Sequence, residues 1–425
     1  MGIERFDAES WLDSPRSRRR FDLSRFAAER AVVQEICERV AAEGDAALRE
    51  YGLKFDGWAP GPSESFAVPA GETAAAADRL AAADRAALEF AARRIREFHE
   101  MQVAPEMASA GKRALQLLAR PVRRAGLYAP GGRAAYPSTV LMTAIPARVA
   151  GVNDVVLATP PSADGKVPQA LLAAAHIAGV DTVYRIGGAQ AVAALAYGTE
   201  SIPRVDVVAG PGNIYVTLAK REVFGSVGVD GIAGPTEVLV LADASARPDF
   251  VAADLAAQLE HDPLAMGVLI TNSAPLADRV VEELESLVAG LERAQVIRAA
   301  SCCIVVAEEM AQAISLADDF SPEHLLIVAA NAESVAAQIE NAGAIFVGPY
   351  ATVPLGDYAA GPNHTLPTSG AARFASPLGV HTFMKRTSVL SLDRGDLESL
   401  REATVRLAGM EGLSGHAHAV EVRLE

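Results

Sequence analysis

From Gly126 onward the chain alternates short apolar runs with segments of helical length, and this alternation limits the fold more than any other feature. "AGLYAP", "DVVLAT", "DTVYRIGG" and "VDVVAG" read as strands. Between and after them lie "STVLMTAIPARVAG", "VPQALLAAAHIAGV", "AQAVAALAYG" and "NIYVTLAKREVFG", which read as helices. A second run begins near Glu237. Its strands are "EVLVLAD", "MGVLIT", "CCIVVA", "HLLIVA" and "AIFVG". Its helices are "PDFVAADLAAQLEH", a stretch within "PLADRVVEELESLVAGL", "EMAQAISLA" and "ESVAAQIENAG". Strands separated by helices of about 10–15 residues build βαβ units and hence parallel sheets. The expected fold class is α/β, with two lobes of similar plan.

The rest of the chain is placed around those lobes. Residues 1–22, with "SPRSRRR", read as a polar arm. Helices follow at roughly Ala28–Ala42, Asp45–Phe55 and Glu72–Met101. The expected domains are the arm (1–22), a second lobe formed by 23–120 with 235–375, a first lobe at 121–234, and a C-terminal segment at 376–425. The last carries a helix in "DLESLREATVRLAGM" and ends on "EGLSGHAHAVEVRLE". "GDYAAGPNHTLPTSG", directly after the last strand, is too rich in Gly and Pro for regular structure.

Composition narrows the function. The 425 residues carry a net charge of −15, which disfavours nucleic acid and anionic membrane surfaces. No apolar run approaches the ~18 residues of a membrane span. The start "MGIERFDAES" lacks an apolar secretory core. Cys37, Cys302 and Cys303 form no disulfide framework, and Cys302 and Cys303, in the strand pattern "SCCIVVA", read as core or near-core thiols. A cytoplasmic protein is expected.

Three Gly-rich turns follow strands of the first lobe: "YAPGG", "IGGAQ" and "AGPGN". Backbone amides at such helix starts attract phosphate, and open α/β sheets bind ligands at strand C-terminal edges. A single turn of this kind is ordinary, whereas three on neighbouring strands suggest a nucleotide site. The G-x-G-x-x-G fingerprint is absent, and spacing identifies no acidic ribose-binding residue.

Histidines concentrate late: His261, His324, His364, His381, His416 and His418 are six of eight. Gln258 and His261 share a face near a helix end. Glu323 and His324 adjoin at a strand start, where acid and imidazole suit proton transfer, provided Pro322 bends the chain so that both face one site. His416 follows Glu411 by five residues. Each feature alone is also what an ordinary polar helix end, strand entry or tail looks like.

Together, "EGDAALREYGLKFDG", "GLYAPGGRAAYPSTVLMTAIPARVAGV", "AGPGNIYVTLAKREVFG", "AGPTEVLVLAD", "SPEHL", "GDYAAGPNHTLPTSG" and "EGLSGHAHAVEVR" resemble the histidinol dehydrogenase family over nearly the whole chain. The resemblance implies oxidation of L-histidinol to L-histidine with two NAD and one zinc per site. It implies zinc ligands at Gln258, His261 and Asp357, with His416 from a second subunit. It implies proton transfer by Glu323 and His324, with His324 as base and Glu323 activating water. Substrate contacts fall on Thr236, His364 and Glu411 besides the metal ligands and His324, and NAD contacts on Tyr128, Gln190 and Asn213. It further implies two incomplete Rossmann-like lobes and a homodimer with exchanged C-terminal tails. Thr236 stands where the family commonly has serine. Rival readings are a zinc- and NAD-dependent dehydrogenase of another small alcohol, such as a sulfonated diol, a zinc hydrolase, and a non-catalytic metal-binding scaffold. One geometric expectation follows from the strand positions. The nucleotide turns use strand C-terminal edges, whereas Thr236, Gln258, His261, Glu323 and His324 use the opposite edge of the second sheet. Asp357 must then return to that edge, within the ~30 Å reach of ten extended residues.

Overall fold

The computed structural model describes residues 2–18, 22–103, 115–131 and 135–425. Gly132 of the first Gly-rich turn, with Arg19 and Arg20 of the arm, lies outside them. The strands are β1 (Ile3–Asp7), β2 (Leu115–Pro121), β3 (Arg124–Tyr128), β4 (Asp154–Thr159), β5 (Thr182–Arg185), β6 (Val207–Ala209), β7 (Gly228–Val229), β8 (Glu237–Ala242), β9 (Met266–Thr271), β10 (Ser301–Val306), β11 (His324–Val328), β12 (Ala344–Val347) and β13 (Met384–Leu390). The chain divides into two compact units, residues 1–103 with 122–383, and residues 104–121 with 384–425.

The larger unit is mixed α/β with two parallel sheets, ordered β5-β4-β3-β6-β7 and β1-β10-β9-β8-β11-β12. Strands β8, β9 and β11 are buried along their whole length, which explains their unbroken apolar sequences. In the first sheet the chain starts centrally at β3, winds outward, then returns to the other side; in the second, after the edge strand β1, it does the same from β8. That reversal creates a crevice between β3 and β6 and another between β8 and β11.

Three expectations need correction. Part of the supposed polar arm is structured. β1 pairs with β10 at the sheet edge, and a helix at Ala8–Asp13 buries Trp11 to 1% exposure against Phe6 and Phe320. A row of charges had hidden two apolar anchors. Second, the helices between Ala27 and Glu100 pack on the first sheet rather than the second. Val33, Ile36, Val40 and Leu48 share a core with Ala191, Leu195 and Val216, and Ile95 joins Leu141 and Ile145. Third, the long helix expected at Glu72–Met101 is two, Glu72–Arg79 and Ala82–Glu100, with Leu80 and Ala81 extended between them. Their different neighbours, the helices Gln169–Ala178 and Pro137–Val149, override a continuous propensity.

In the smaller unit β2 and β13 form an antiparallel pair, from Leu115 opposite Leu390 to Pro121 opposite Met384. Helices follow at Arg394–Met410 and Ser414–Glu421, the first closed by an Asp393–Asp396 capping box. Among the described residues no helix is long and apolar enough to cross a membrane.

The ends of β6 and β7 are tied by charge. Lys220 and Asp230 form an ion pair with side chains 5% and 2% exposed. Lys220 also donates to the Gly210 carbonyl at 3.0 Å, and Gly210 N donates to Asp230 at 2.8 Å. Breaking a buried pair on one side leaves an uncompensated charge, so Lys220→Met should cost about 3–5 kcal/mol in a denaturation titration. Trp11→Ala should likewise cost about 3–5 kcal/mol. A loose arm would show a change within about 0.5 kcal/mol.

Candidate functional site

Two groups of polar side chains stand at sheet edges. The first lies at the C-terminal edge of the β3/β6 crevice. Tyr128 ends β3, Gln190 lies in the first turn of the helix Gly188–Tyr197 after β5, and Asn213 caps the helix Ile214–Val223 after β6. All three line one cleft of about 650 Å³, together with Asp56, Pro130, Pro160 and Tyr215. The Gly188 amide donates to the Tyr128 hydroxyl at 3.0 Å, fixing the ring at the turn. Gln190 is 2% exposed, and its Nε2 has no hydrogen-bond partner among the described residues. A buried amide donor without an acceptor is costly unless a ligand supplies one. The Asn213 side-chain oxygen accepts from the amides of Tyr215 and Val216 at 3.1 and 3.2 Å. Its oxygen is thereby committed to the cap, leaving its NH2 for a ligand. Gly187 is needed for space, since a Cβ there would come within 2.5 Å of Pro160 Cβ and 3.1 Å of Asp56 Oδ1.

The second group lies at the N-terminal edge of β8 and β11, the opposite edge, as the strand positions had suggested. Thr236 precedes β8, Glu323 precedes β11, and His324 begins it. The Thr236 hydroxyl donates to Glu323 Oε2 at 2.6 Å, and the Glu237 amide donates to the same oxygen at 2.9 Å. A hydroxyl that gives its hydrogen to a carboxylate can only accept from a third group. Gln258 fills that place, donating through Nε2 to Thr236 Oγ1. The Gln258 carboxamide is thereby oriented, and its Oε1 is buried without a partner.

Glu323 and His324 do reach one site. Their side chains approach to 3.7 Å between Oε2 and Nδ1, because Glu323 stands just outside the regular strand. Gly343 allows this close backbone path, for a Cβ there would meet the Glu323 carbonyl at 2.6 Å. The His324 Nδ1–H donates to the Glu237 carbonyl at 3.1 Å, so Nε2 carries the lone pair. That Nε2 is buried, lacks a hydrogen-bond partner and lies 3.9 Å from Asp357 Oδ1.

Asp357 corrects the expectation of a wholly irregular segment. It sits on a short helix, Val353–Tyr358, with proline in its first turn. Thr352, at the N-cap of this helix, bonds Asp254 on the helix Pro248–Leu259 that carries Gln258. The following residues do run irregularly. His364 Nδ1 bonds the Asp357 carbonyl at 3.0 Å, and Asn363 Nδ2 donates to the Met142 carbonyl at 2.6 Å. Ser369 N reaches Glu237 Oε1 at 2.8 Å. Gln258, Thr236, Glu323, His324, Asp357, His261 and His364 are thus linked by contact or by mutual electrostatic influence. Glu411 and His416 are solvent-exposed residues of the smaller unit.

Burial drives the electrostatics of this cluster. It pushes the His364 imidazole down to about 4 and holds His324 and His261 below the usual imidazole range, while the Asp357 carboxylate pulls the latter two upward. It also raises Asp357 above the usual carboxylate range, against the influence of His324 and His261. The cluster therefore favours neutral imidazoles. Among the described residues, no three His, Cys, Asp or Glu side chains are arranged to hold a metal by themselves. The orphan Gln258 oxygen, the His261 imidazole and the Asp357 carboxylate are nonetheless donor types suited to one.

Sequence reasoning missed Asp56 and the Thr352–Asp254 tether. Neither belongs to a recognisable spacing, and both become visible only when distant segments meet.

Comparisons with known proteins point to one family. The family model described as histidinol dehydrogenase matches residues 19–424. A histidinol dehydrogenase of Parasynechococcus marenigrum is 50% identical over 397 residues, covering 92% of this chain and 90% of that protein. One from Pseudomonas aeruginosa is 47% identical over 398 residues, with 92% and 90% coverage. The crystal structure of histidinol dehydrogenase from Elizabethkingia anophelis superposes with a TM-score of 0.90 at 33% identity, covering 100% of this chain and 98% of that one. With the family model spanning nearly the whole chain and these relatives alike over most of their length, the chain belongs to the histidinol dehydrogenase family.

Proposed function

We propose that this protein oxidises L-histidinol to L-histidine, through the aldehyde, with two NAD consumed per substrate. The observation that carries the reading is the pairing of an unpartnered, neutral His324 Nε2 with an oriented Glu323 carboxylate in one buried cluster.

His324 is the base. Its Nδ1–H is held by the Glu237 carbonyl, so Nε2 takes the alcohol proton in the first oxidation and the hydrate proton in the second. Glu323 takes a proton from the water that adds to the aldehyde between those steps. Two donors on Oε2 hold it fixed for that task. Thr236 acts through this network, orienting Glu323 and Gln258 together, and its hydroxyl is as able to do so as serine's. NAD bound in the first-lobe cleft, with Tyr128, Gln190 and Asn213 as contacts, supplies the hydride acceptor for each oxidation. Gln258, His261 and Asp357 would hold a zinc ion with His416 of the partner subunit, and zinc supplies a Lewis acid that orients the substrate's amine and imidazole. His364 and Glu411 complete the substrate contacts, and the negative Glu411 suits a cationic amine rather than a sulfonate.

The homodimer has its own support. Leu400, Leu407 and Met410 on the helix Arg394–Met410 and Leu413 just after it are 48%, 59%, 84% and 41% exposed, an apolar surface that calls for a covering partner. A zinc hydrolase would account for the Glu323 cluster but leaves the buried, unpartnered Gln190 amide and its cleft unexplained.

Absorbance at 340 nm should rise by two NADH per L-histidinol added, and no NADH at all would reject the assignment. His324→Asn should lower the alcohol step by roughly 10²–10⁴-fold. Because burial lowers the His324 pKa, the base stays neutral as pH falls through neutrality. The acid limb of kcat/KM should therefore lie below the ordinary imidazole value of about 6.5. Metal analysis should find one zinc per subunit. Chelation should remove it, lower the melting temperature and abolish turnover. His261→Asn should retain little zinc even when supplied with excess. Full zinc occupancy in that variant would remove His261 from the ligand set.

A further inference from the structure

The cleft at the end of β3 contains one group without a role in the reaction described above. Asp56 closes the turn Gly52–Asp56 after the helix Asp45–Tyr51, far in sequence from the Gly-rich turns. It nevertheless lines the cleft with Tyr128, Gln190 and Asn213. Its carboxylate lies against the backbone of Gly187, in the "IGGAQ" turn. Gly187 permits this approach, since a Cβ there would come within 3.1 Å of Asp56 Oδ1. The same cleft is lined by the buried Gln190, whose Nε2 has no hydrogen-bond partner among the described residues. Among the described residues lining the cleft, Asp56 alone carries a formal charge, with no Lys, Arg or His among them.

We propose that Asp56 accepts the ribose hydroxyls of the dinucleotide in this cleft and thereby selects NAD over NADP; this rests on reading the cleft as the cofactor site. A carboxylate accepts two O–H donors from a vicinal diol. A 2′-phosphate in place of the hydroxyl puts a dianion against that carboxylate, with no cation on the described lining to offset it. Burial lifts Asp56 to about 6, so the carboxylate still predominates at neutral pH. The apolar and aromatic lining, including Ile36, Phe55, Pro160 and Tyr215, offers faces for the base rings. In dinucleotide folds the acidic ribose partner usually follows the first Gly-rich turn by about 20 residues. Here an N-terminal segment delivers the equivalent charge.

The test is to titrate NADH and NADPH by cofactor fluorescence into the full-length protein and its Asp56→Asn and Asp56→Ala variants, with NAD and NADP kinetics on L-histidinol alongside. Asn keeps the size and shape of the side chain against Gly187, so a wild-type melting curve is expected and Asp56→Asn carries the test even if the alanine variant misfolds. The NADPH-to-NADH affinity ratio should shift toward NADPH by about tenfold or more in Asp56→Asn. In Asp56→Ala, NADH should bind about tenfold more weakly, with the change in KM for NAD rather than in kcat. An unchanged ratio and unchanged NADH affinity, in a protein that still reduces NAD, overturns the role of Asp56 and leaves the proposed function standing. A wild-type protein that binds neither NADH nor NADPH and reduces no NAD overturns the cofactor reading and the Asp56 role with it.

Discussion

A short polar chain at the N-terminal edge of β8 and β11 sets what this molecule can do. Gln258 donates to Thr236, Thr236 donates to Glu323, and the Glu237 amide closes the set on the same carboxylate oxygen. Each link decides the next. A hydroxyl that donates to a carboxylate must accept from the amide side of Gln258, and that turns the Gln258 oxygen toward the cluster. Through the Glu237 carbonyl the same loop fixes the tautomer of His324. Loss of the hydroxyl would therefore disturb the groups proposed as proton carrier, metal ligand and water activator together. In such buried networks pairwise energies do not simply add.

The two lobes share a plan but use opposite edges of their sheets. In the first, the crevice between β3 and β6 and the helix starts beyond it follow the general rule for open α/β sheets. In the second, the reacting groups gather where β8 and β11 begin. Strand starts lack the converging helix N-termini that favour anions. What the N-terminal edge offers is helix C-terminal ends and carbonyl groups, which favour cations. Gln258 sits in the last turn of its helix, and Asp357 in the last turn of another. The metal site proposed there and the dinucleotide site proposed at the other lobe's opposite edge would follow the same electrostatic rule.

Much of this was legible in the sequence because parallel strands buried on both faces write themselves as unbroken apolar runs. "EVLVLAD", "MGVLIT" and "HLLIVA" are found where expected. The strand-edge positions of Thr236, Glu323 and His324 followed directly from those runs. What failed depended on packing partners rather than on pattern. Ile3 and Phe6 alternate with charges, so β1 read as part of an arm until its place beside β10 was visible. The break at Leu80 has no glycine or proline to mark it and comes from two helices meeting different neighbours. The helix bearing Asp357 is only six residues long and lies among breakers that dominate its surroundings. Asp56 carries no motif at all, because its meaning arises only from Gly187, which is more than a hundred positions away.

Protonation links the two halves of the polar cluster. Burial pushes His364, His324 and His261 toward the neutral form, and it pushes Asp357 the same way. For the imidazoles that is the reactive state, since only a neutral ring can accept a proton or coordinate a metal. For Asp357 it is the opposite, since a protonated carboxyl makes a poor ligand. The nearby imidazoles lower the Asp357 pKa, but they do so only when charged, which burial opposes. A divalent cation resolves the conflict, because it stabilises the carboxylate without requiring a protonated histidine and so leaves His324 free as base. Its binding would then release a proton from Asp357, and metal affinity would rise with pH through the range in which that carboxyl ionises. The zinc proposed for this site therefore serves the acid–base chemistry as well as the substrate's orientation. It lets one buried pocket hold a negative ligand and a neutral base side by side.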